Sequence, residues 1–298
     1  NVIKTCLKYP LCNSIQVWGV TDKYSWIPGA FTGFGSALPL DASYTPKQAY
    51  TGISNAFLIA PPVINGAGLI DGASYAAGGV APGEIVVFFG PTYGPSSIVT
   101  AQVQNSKVVT SLQDTRVLFD GVPAPMLYAV AGQVSAIVPF SVAGKATTVV
   151  QYQANGIYSN SVTLPVVATK PAIFTLNQSG KGAAAALDAA SFKAITSANP
   201  VARGGIALVY MTGAGQTTPA GVDGQISTAA PLPQVNGVTA TIGGVNAPVL
   251  YAGGAVGLVH GGIQLNIQIP STVPPGDQLL IVNVGSQSSQ TGVTIAVR

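Results

Sequence analysis

Glu84 is the sole glutamate and His260 the sole histidine of this 298-residue chain, so acid–base chemistry has few places to start. Hydrolysis by a nucleophile and an acid needs two carboxylates about 5 to 5.5 Å apart. Glu84 could pair only with an aspartate. The eight aspartates (Asp22, Asp41, Asp71, Asp114, Asp120, Asp188, Asp223 and Asp277) sit mostly beside glycine or other turn formers, where a carboxylate caps its own backbone. Glu84 itself opens an apolar run and reads as a solvated strand start. His260 lies in Gly257-Leu258-Val259-His260-Gly261-Gly262, a loop between strands, and no G-x-S-x-G elbow offers it a nucleophile. Gly213 and Gly215 precede neither a helix nor a Lys-Ser/Thr pair, so they make no phosphate cradle. One histidine and scattered aspartates predict no metal centre. A loop such as Asp223-Gly224 comes nearest to a Ca²⁺ site. The sequence thus predicts no catalytic residue, no metal and no cofactor.

Cys6 and Cys12 are the only cysteines. Their spacing fits neither a zinc knuckle nor a redox pair and reads as a local disulfide rather than free thiols. A disulfide fits an oxidising compartment, and the chain is expected to be secreted, extracellular or at a cell surface. It starts at Asn1 without Met and shows no leader, and is read as a processed or truncated product.

The elements that would hold such residues follow from composition. Charged residues make up 7% of the chain and hydrophobic ones 48%, against about 25% charged in an ordinary soluble domain. With 36 glycines and 22 prolines, this predicts many short strands joined by tight turns. Apolar runs break within about ten residues, too short to span a bilayer. The twelve basic residues form no stripe, so no nucleic-acid partner is expected. A surface with so few charges has little like-charge repulsion to keep copies apart.

Three regions are expected: residues 1–57, 58–172 and 173–298. The last two repeat each other. Asp71-Gly72-Ala73-Ser74-Tyr75 returns as Asp188-Ala189-Ala190-Ser191-Phe192, and Glu84-Ile85-Val86-Val87 as Gly205-Ile206-Ala207-Leu208. Gly121-Val122-Pro123-Ala124-Pro125-Met126-Leu127-Tyr128-Ala129 returns as Gly244-Val245-Asn246-Ala247-Pro248-Val249-Leu250-Tyr251-Ala252. A fourth block, residues 133–139, returns as 264–270. This is a tandem duplication. Within it Ile263, Leu265, Ile267 and Ile269 alternate with Gln264, Asn266 and Gln268, the period of a half-buried strand. The fold class expected is mainly β: tandem immunoglobulin-like sandwiches after a short N-terminal strand and helix. Tyr128 and Tyr251, at equivalent positions, are expected to share a packing role.

Residues 71–298 resemble the Solibacter-type uncharacterised C-terminal domain family of secreted bacterial proteins. The resemblance rests on Val80-Ala81-Pro82-Gly83-Glu84, Gly121-Val122-Pro123-Ala124-Pro125, Gly144-Lys145-Ala146-Thr147-Thr148 and Gly213-Ala214-Gly215-Gln216-Thr217-Thr218-Pro219. The resemblance implies no activity.

Residues 1–57 resemble the C-terminal end of glycoside hydrolase family 10 xylanases. The matching stretches are Cys6-Leu7-Lys8-Tyr9-Pro10-Leu11-Cys12, Val17-Trp18-Gly19-Val20, Asp22-Lys23-Tyr24-Ser25-Trp26 and Tyr44-Thr45-Pro46-Lys47-Gln48-Ala49-Tyr50. The resemblance implies the last strand of a (β/α)8 barrel over residues 14–20 and a helix over 46–57, and it supports a Cys6–Cys12 bond. It matches Trp18 and Trp26 to aromatic residues of the sugar-binding cleft. Their other expected role is to cover apolar surface left where the barrel's seven other strands are absent. The family's two catalytic glutamates lie on earlier strands and have no counterpart here, so no enzyme activity is expected.

The function expected first is a non-catalytic, secreted structural protein that self-assembles, as an extracellular filament subunit with Ile15, Val17 and Val20 on a strand donated between copies. The alternative is the C-terminal accessory part of a secreted endo-1,4-β-xylanase. The partners expected are copies of the chain itself and, on the second reading, plant cell-wall polysaccharide.

Overall fold

Alternating apolar and polar residues fold here as short antiparallel strands, each giving one face to a core. The structure is a computed structural model, and it describes residues 2–6, 9, 11–12, 14–57, 61–90 and 94–298. The chain is mainly β; among the described residues the α-helices Val2–Cys6, Ile27–Ala30 and Gln48–Phe57 lie in the N-terminal segment, and short 3-10 turns occur there and at Gly66–Gly68 and Phe140–Val142.

The first repeat packs two sheets. One runs in the order Leu69–Asp71, Ile85–Phe89, Gln133–Ile137, Met126–Val130 and Val99–Thr100. The other joins Ile157–Tyr158, Thr147–Ala154, Thr115–Phe119 and Val122–Pro123, with Val162–Pro165 also on Thr147–Ala154. Between them lies a core that includes Val86, Phe88, Phe119, Met126, Val134 and Tyr152. The second repeat builds its own core around Val209, Met211, Ile242, Leu265, Ile267 and Leu280.

The duplication extends to register. Ile85 pairs with Ile137 as Ile206 pairs with Gln268, and Asp71 pairs with Val86 as Asp188 pairs with Ala207. The bulge between Met126 and Tyr128 recurs between Val249 and Tyr251. Even a side-chain clamp is copied. The Asn160 amide bonds the backbone of Ile64 at 2.8 and 3.0 Å, and the Gln290 amide bonds that of Ile173 at 3.0 and 2.6 Å.

The N-terminal segment departs from expectation. Residues 14–20 form no strand; the nearest pairing is a single bridge from Thr21 to Leu40. Ile15, Val17 and Val20 therefore lie on irregular backbone. The physical reason is that a strand needs a neighbour's ladder, and none of the described strands lies alongside these residues. The helix starts at Gln48 rather than at residue 46.

Candidate functional site

Two places gather side chains that can do something: the N-terminal segment, and the seam between the repeats. The segment is held by a few strong local contacts. Asp22 accepts the Leu38 N–H at 2.9 Å and pairs with Lys47 Nζ at 2.6 Å. The hydrogen bond from Lys47, then that from Leu38, holds the Asp22 carboxyl below the usual range. Asp41 caps its own turn by accepting from Ser43 and Thr45. Cys6 and Cys12 form the disulfide.

That frame leaves large side chains in solvent. Trp18 is 79% exposed and Trp26 55%. Trp26 packs on Phe31 with ring centroids 6.0 Å apart, while Trp18 makes no ring contact among the described residues. The two tryptophans therefore cover no core here. Val2, Ile3, Ile15, Val17, Ala49 and Ile53 line an open groove of about 520 Å³. Leaving a large apolar side chain in water forgoes about 1.5 to 3 kcal/mol.

At the seam the second repeat lies on the outer face of the first. Ile85 donates to Thr212 Oγ1 at 2.8 Å, Phe140 N–H to Asp223 Oδ1 at 2.7 Å, and Val108 N–H to the Gly224 carbonyl at 2.8 Å. Asp223 thus clamps the repeats together. His260 is partly buried beside it, its Nδ1 accepting from Val222 at 3.1 Å, and burial lowers its pKa. Gly213 and Gly215 have a seam role too. They adopt φ of +72° and +78°, and a Cβ there would sit 1.8 Å from the Lys170 carbonyl oxygen and 2.1 Å from that of Ala168. Only glycine lets the linker pass so close.

Glu84 is not a solvated strand start. Its side chain is fully buried, because the linker and the second repeat close over it. Its Oε2 accepts from Ala81 at 2.7 Å and its Oε1 pairs with Lys170 Nζ at 3.1 Å. Burial, then repulsion by Asp71, pushes the carboxyl up to about 8, with Lys170 pulling the other way. Asp71, also fully buried, accepts at Oδ1 from Ala73, Ser74 and the Ser74 hydroxyl, and its Oδ2 has no hydrogen bond. Both carboxyl side chains are thus buried at or beside the joint between the repeats.

Beside that joint a cavity of about 370 Å³ opens between the repeats, with Tyr75, Tyr128, Ser135, Phe174, Thr175 and Gln178 among its walls. The Tyr128 hydroxyl accepts from the Gln133 amide. Burial raises its phenol, and Tyr75 adds to the shift. Sequence reasoning missed this site, because Phe174 and Gln178 reach Tyr75 only through the packing of one repeat on the next. Among the described residues no cluster of three or more His, Cys, Asp or Glu could hold a metal, and no helix is long and apolar enough to cross a membrane.

Comparison with known proteins places the N-terminal segment. The model of glycosyl hydrolase family 10 matches residues 1–56. Endo-1,4-beta-xylanase B of Thermotoga neapolitana is 50% identical over 52 residues, 17% of this chain and 15% of that enzyme. Endo-1,4-beta-xylanase B of Humicola insolens is 49% identical over 57 residues, 19% and 15% of the two chains. The chain thus spans about 15% of the length of these xylanases. Among solved structures, the plexin A4 extracellular region superposes with a TM-score of 0.26 and 13% identity, over 77% of this chain and 15% of that one. Domains 5–6 of the S-layer protein SbsC do so at 0.25 and 12%, over 80% and 97%.

Proposed function

We propose that residues 1–57 supply the C-terminal end of a family 10 xylanase barrel, and that the two β repeats are a non-catalytic accessory region of that secreted enzyme. The carrying observation is the open apolar groove of Val2, Ile3, Ile15, Val17, Ala49 and Ile53, in the very segment that is about half identical to xylanases. A barrel's remaining strands would cover that groove and give residues 14–20 the ladder they lack. On this reading Trp18 and Trp26 face the sugar-binding cleft, and residues 71–298 are the Solibacter-type region carried behind it. The chain by itself is not an enzyme, a reading supported by a sequence with one glutamate and by the burial of that glutamate.

The test is a fusion. The Thermotoga neapolitana barrel, shortened by its 52 matching residues and joined to this chain, should release reducing ends from xylan. Residues 1–298 alone should release none. Failure of the fusion to fold or to turn over, with the intact xylanase active alongside, refutes the reading.

A second reading is favoured by the exposure of Val17 and Val20, 50% and 65%, on backbone outside any ladder. Here Ile15, Val17 and Val20 pair with a sheet edge of another copy, building an extracellular filament. Few charges cross such a contact, so assemblies would survive high salt, where the Debye length falls to about 3 Å at 1 M. Sedimentation of a monodisperse monomer at high concentration in both low and high salt removes this reading.

A further inference from the structure

The cavity between the repeats has the chemistry of a sugar site. Its walls carry two phenols, one benzene ring and one exposed amide, from Tyr75, Tyr128, Phe174 and Gln178, and no charged side chain. A neutral pyranose offers the complement: an apolar face that stacks on aromatic rings, and hydroxyls that bond amides and phenols at its rim. The volume of about 370 Å³ falls in the range of small-ligand sites, which favour domain junctions. With no cationic side chain in its walls, the cavity offers nothing to pair with an anionic polymer.

Local backbone positions two of these side chains. Tyr75 and Gln178 hold φ of +62° and +54° in turns closed by hydrogen bonds to the Asp71 and Thr175 carbonyls, both at 3.0 Å, and both residues line the cavity. Tyr75 is 38% exposed although it adjoins the buried Asp71 turn, and the Gln178 amide makes no bond among the described residues. The bulge at Met126/Tyr128 brings the successive residues Leu127 and Tyr128 both to the cavity wall, as bulges re-aim side chains. In the second repeat the matching aromatic, Phe192, is 69% exposed at φ +54°. Among the described residues no other repeat faces it. The cavity therefore belongs to the junction and not to the repeat.

We propose that this junction binds a neutral polysaccharide chain, with Tyr75 and Phe174 as stacking platforms and Gln178 and Tyr128 as hydrogen-bonding groups. The choice of xylan as that polymer rests on the xylanase reading above; the site itself does not. The experiment is calorimetric titration of the full chain with xylohexaose and with cellohexaose. Tyr75→Ala and Gln178→Ala, both at exposed positions, should each weaken binding about tenfold, while Tyr75→Phe should stay near the parent value. Phe174→Ala should behave like Tyr75→Ala, with circular dichroism confirming the fold. Binding of cellohexaose alone, lost in the same variants, supports the site and counts against xylan as its polymer. No heat with either sugar up to about 10 mM overturns the proposal. So does binding that ignores Tyr75→Ala and Gln178→Ala but vanishes in Trp18→Ala, which would move the sugar to the N-terminal segment.

Discussion

Replacing Glu84 with glutamine should change how stability depends on pH more than it changes stability itself. In the folded chain burial and Asp71 hold the Glu84 carboxyl at about 8, against an ordinary value of 4.5. Between those values the folded protein keeps a proton that the unfolded chain has released. Stability from this group is complete below pH 4.5 and is lost as pH rises through about 8. Each pH unit in that window is worth about 1.36 kcal/mol, which bounds the total loss at about 5 kcal/mol. Glutamine has no proton to lose. Glu84→Gln should therefore match the parent near pH 5 and gain on it steadily up to pH 8. Asp71 and Lys170 face this position in both proteins, so the difference isolates Glu84. Urea unfolding followed by far-UV circular dichroism at pH 5, 6, 7 and 8 gives the two slopes. Parallel stability curves for parent and variant would refute the reasoning, as would a parent that grows more stable relative to the variant as pH rises.

Other perturbations have simpler signs. Lys170→Met removes the cation that opposes the rise in Glu84, and should steepen the loss of stability towards pH 8 in the same titration. Gly213→Ala puts a Cβ against the Lys170 carbonyl at positive φ; it should destabilise by more than about 1 kcal/mol, with hydrogen exchange quickening first along the linker. Phe119→Ala, in a side chain 1% exposed, should cost about 3 to 5 kcal/mol and lower the calorimetric transition of the first repeat selectively. Reducing the Cys6–Cys12 bond should leave both β repeats unchanged in amide protection, since the bridge lies in the N-terminal segment.

Strands were legible wherever one face alone is buried. Residues 263–269 alternate cleanly because their odd positions fill a core and their even ones meet water. The duplication was legible for the same reason, and it holds down to shared bulges and clamps that no composition shows. Residues 14–20 were misread because the implied strand depends on partners that the described fold does not supply. The burial of Glu84 could not be read from its own neighbours, since the groups that bury it come from the linker and from residues near 212 and 261. Tyr128 and Tyr251 looked alike in sequence. In the structure the first lines a cavity and bonds the Gln133 amide, while the second bonds the Gly254 carbonyl. Equal positions acquired unequal surroundings because, among the described residues, the first faces another repeat and the second does not.

That inequality is written into the strand pairs. The outer face of the first repeat carries Ile85, Val87, Ser135 and Ile137, and the second repeat covers it so well that Val87 and Ile137 are 4% and 1% exposed. At the positions matching Ser135 and Ile137 the second repeat has Asn266 and Gln268, both partly exposed, and Gly205 stands in place of Glu84. The two sandwiches share a core plan but differ on the face that makes the joint. Exchanging their order would place Gln264, Asn266 and Gln268 under a neighbour, at about 1 to 3 kcal/mol for each amide left unpaired, and would return Val87 and Ile137 to water. Nor would it rebuild the contact with Lys170, since glycine has no carboxyl group. The order of the repeats is therefore fixed by their facing residues, and the joint that forms Tyr75, Tyr128 and Phe174 into one cavity can arise only where the first repeat meets the second.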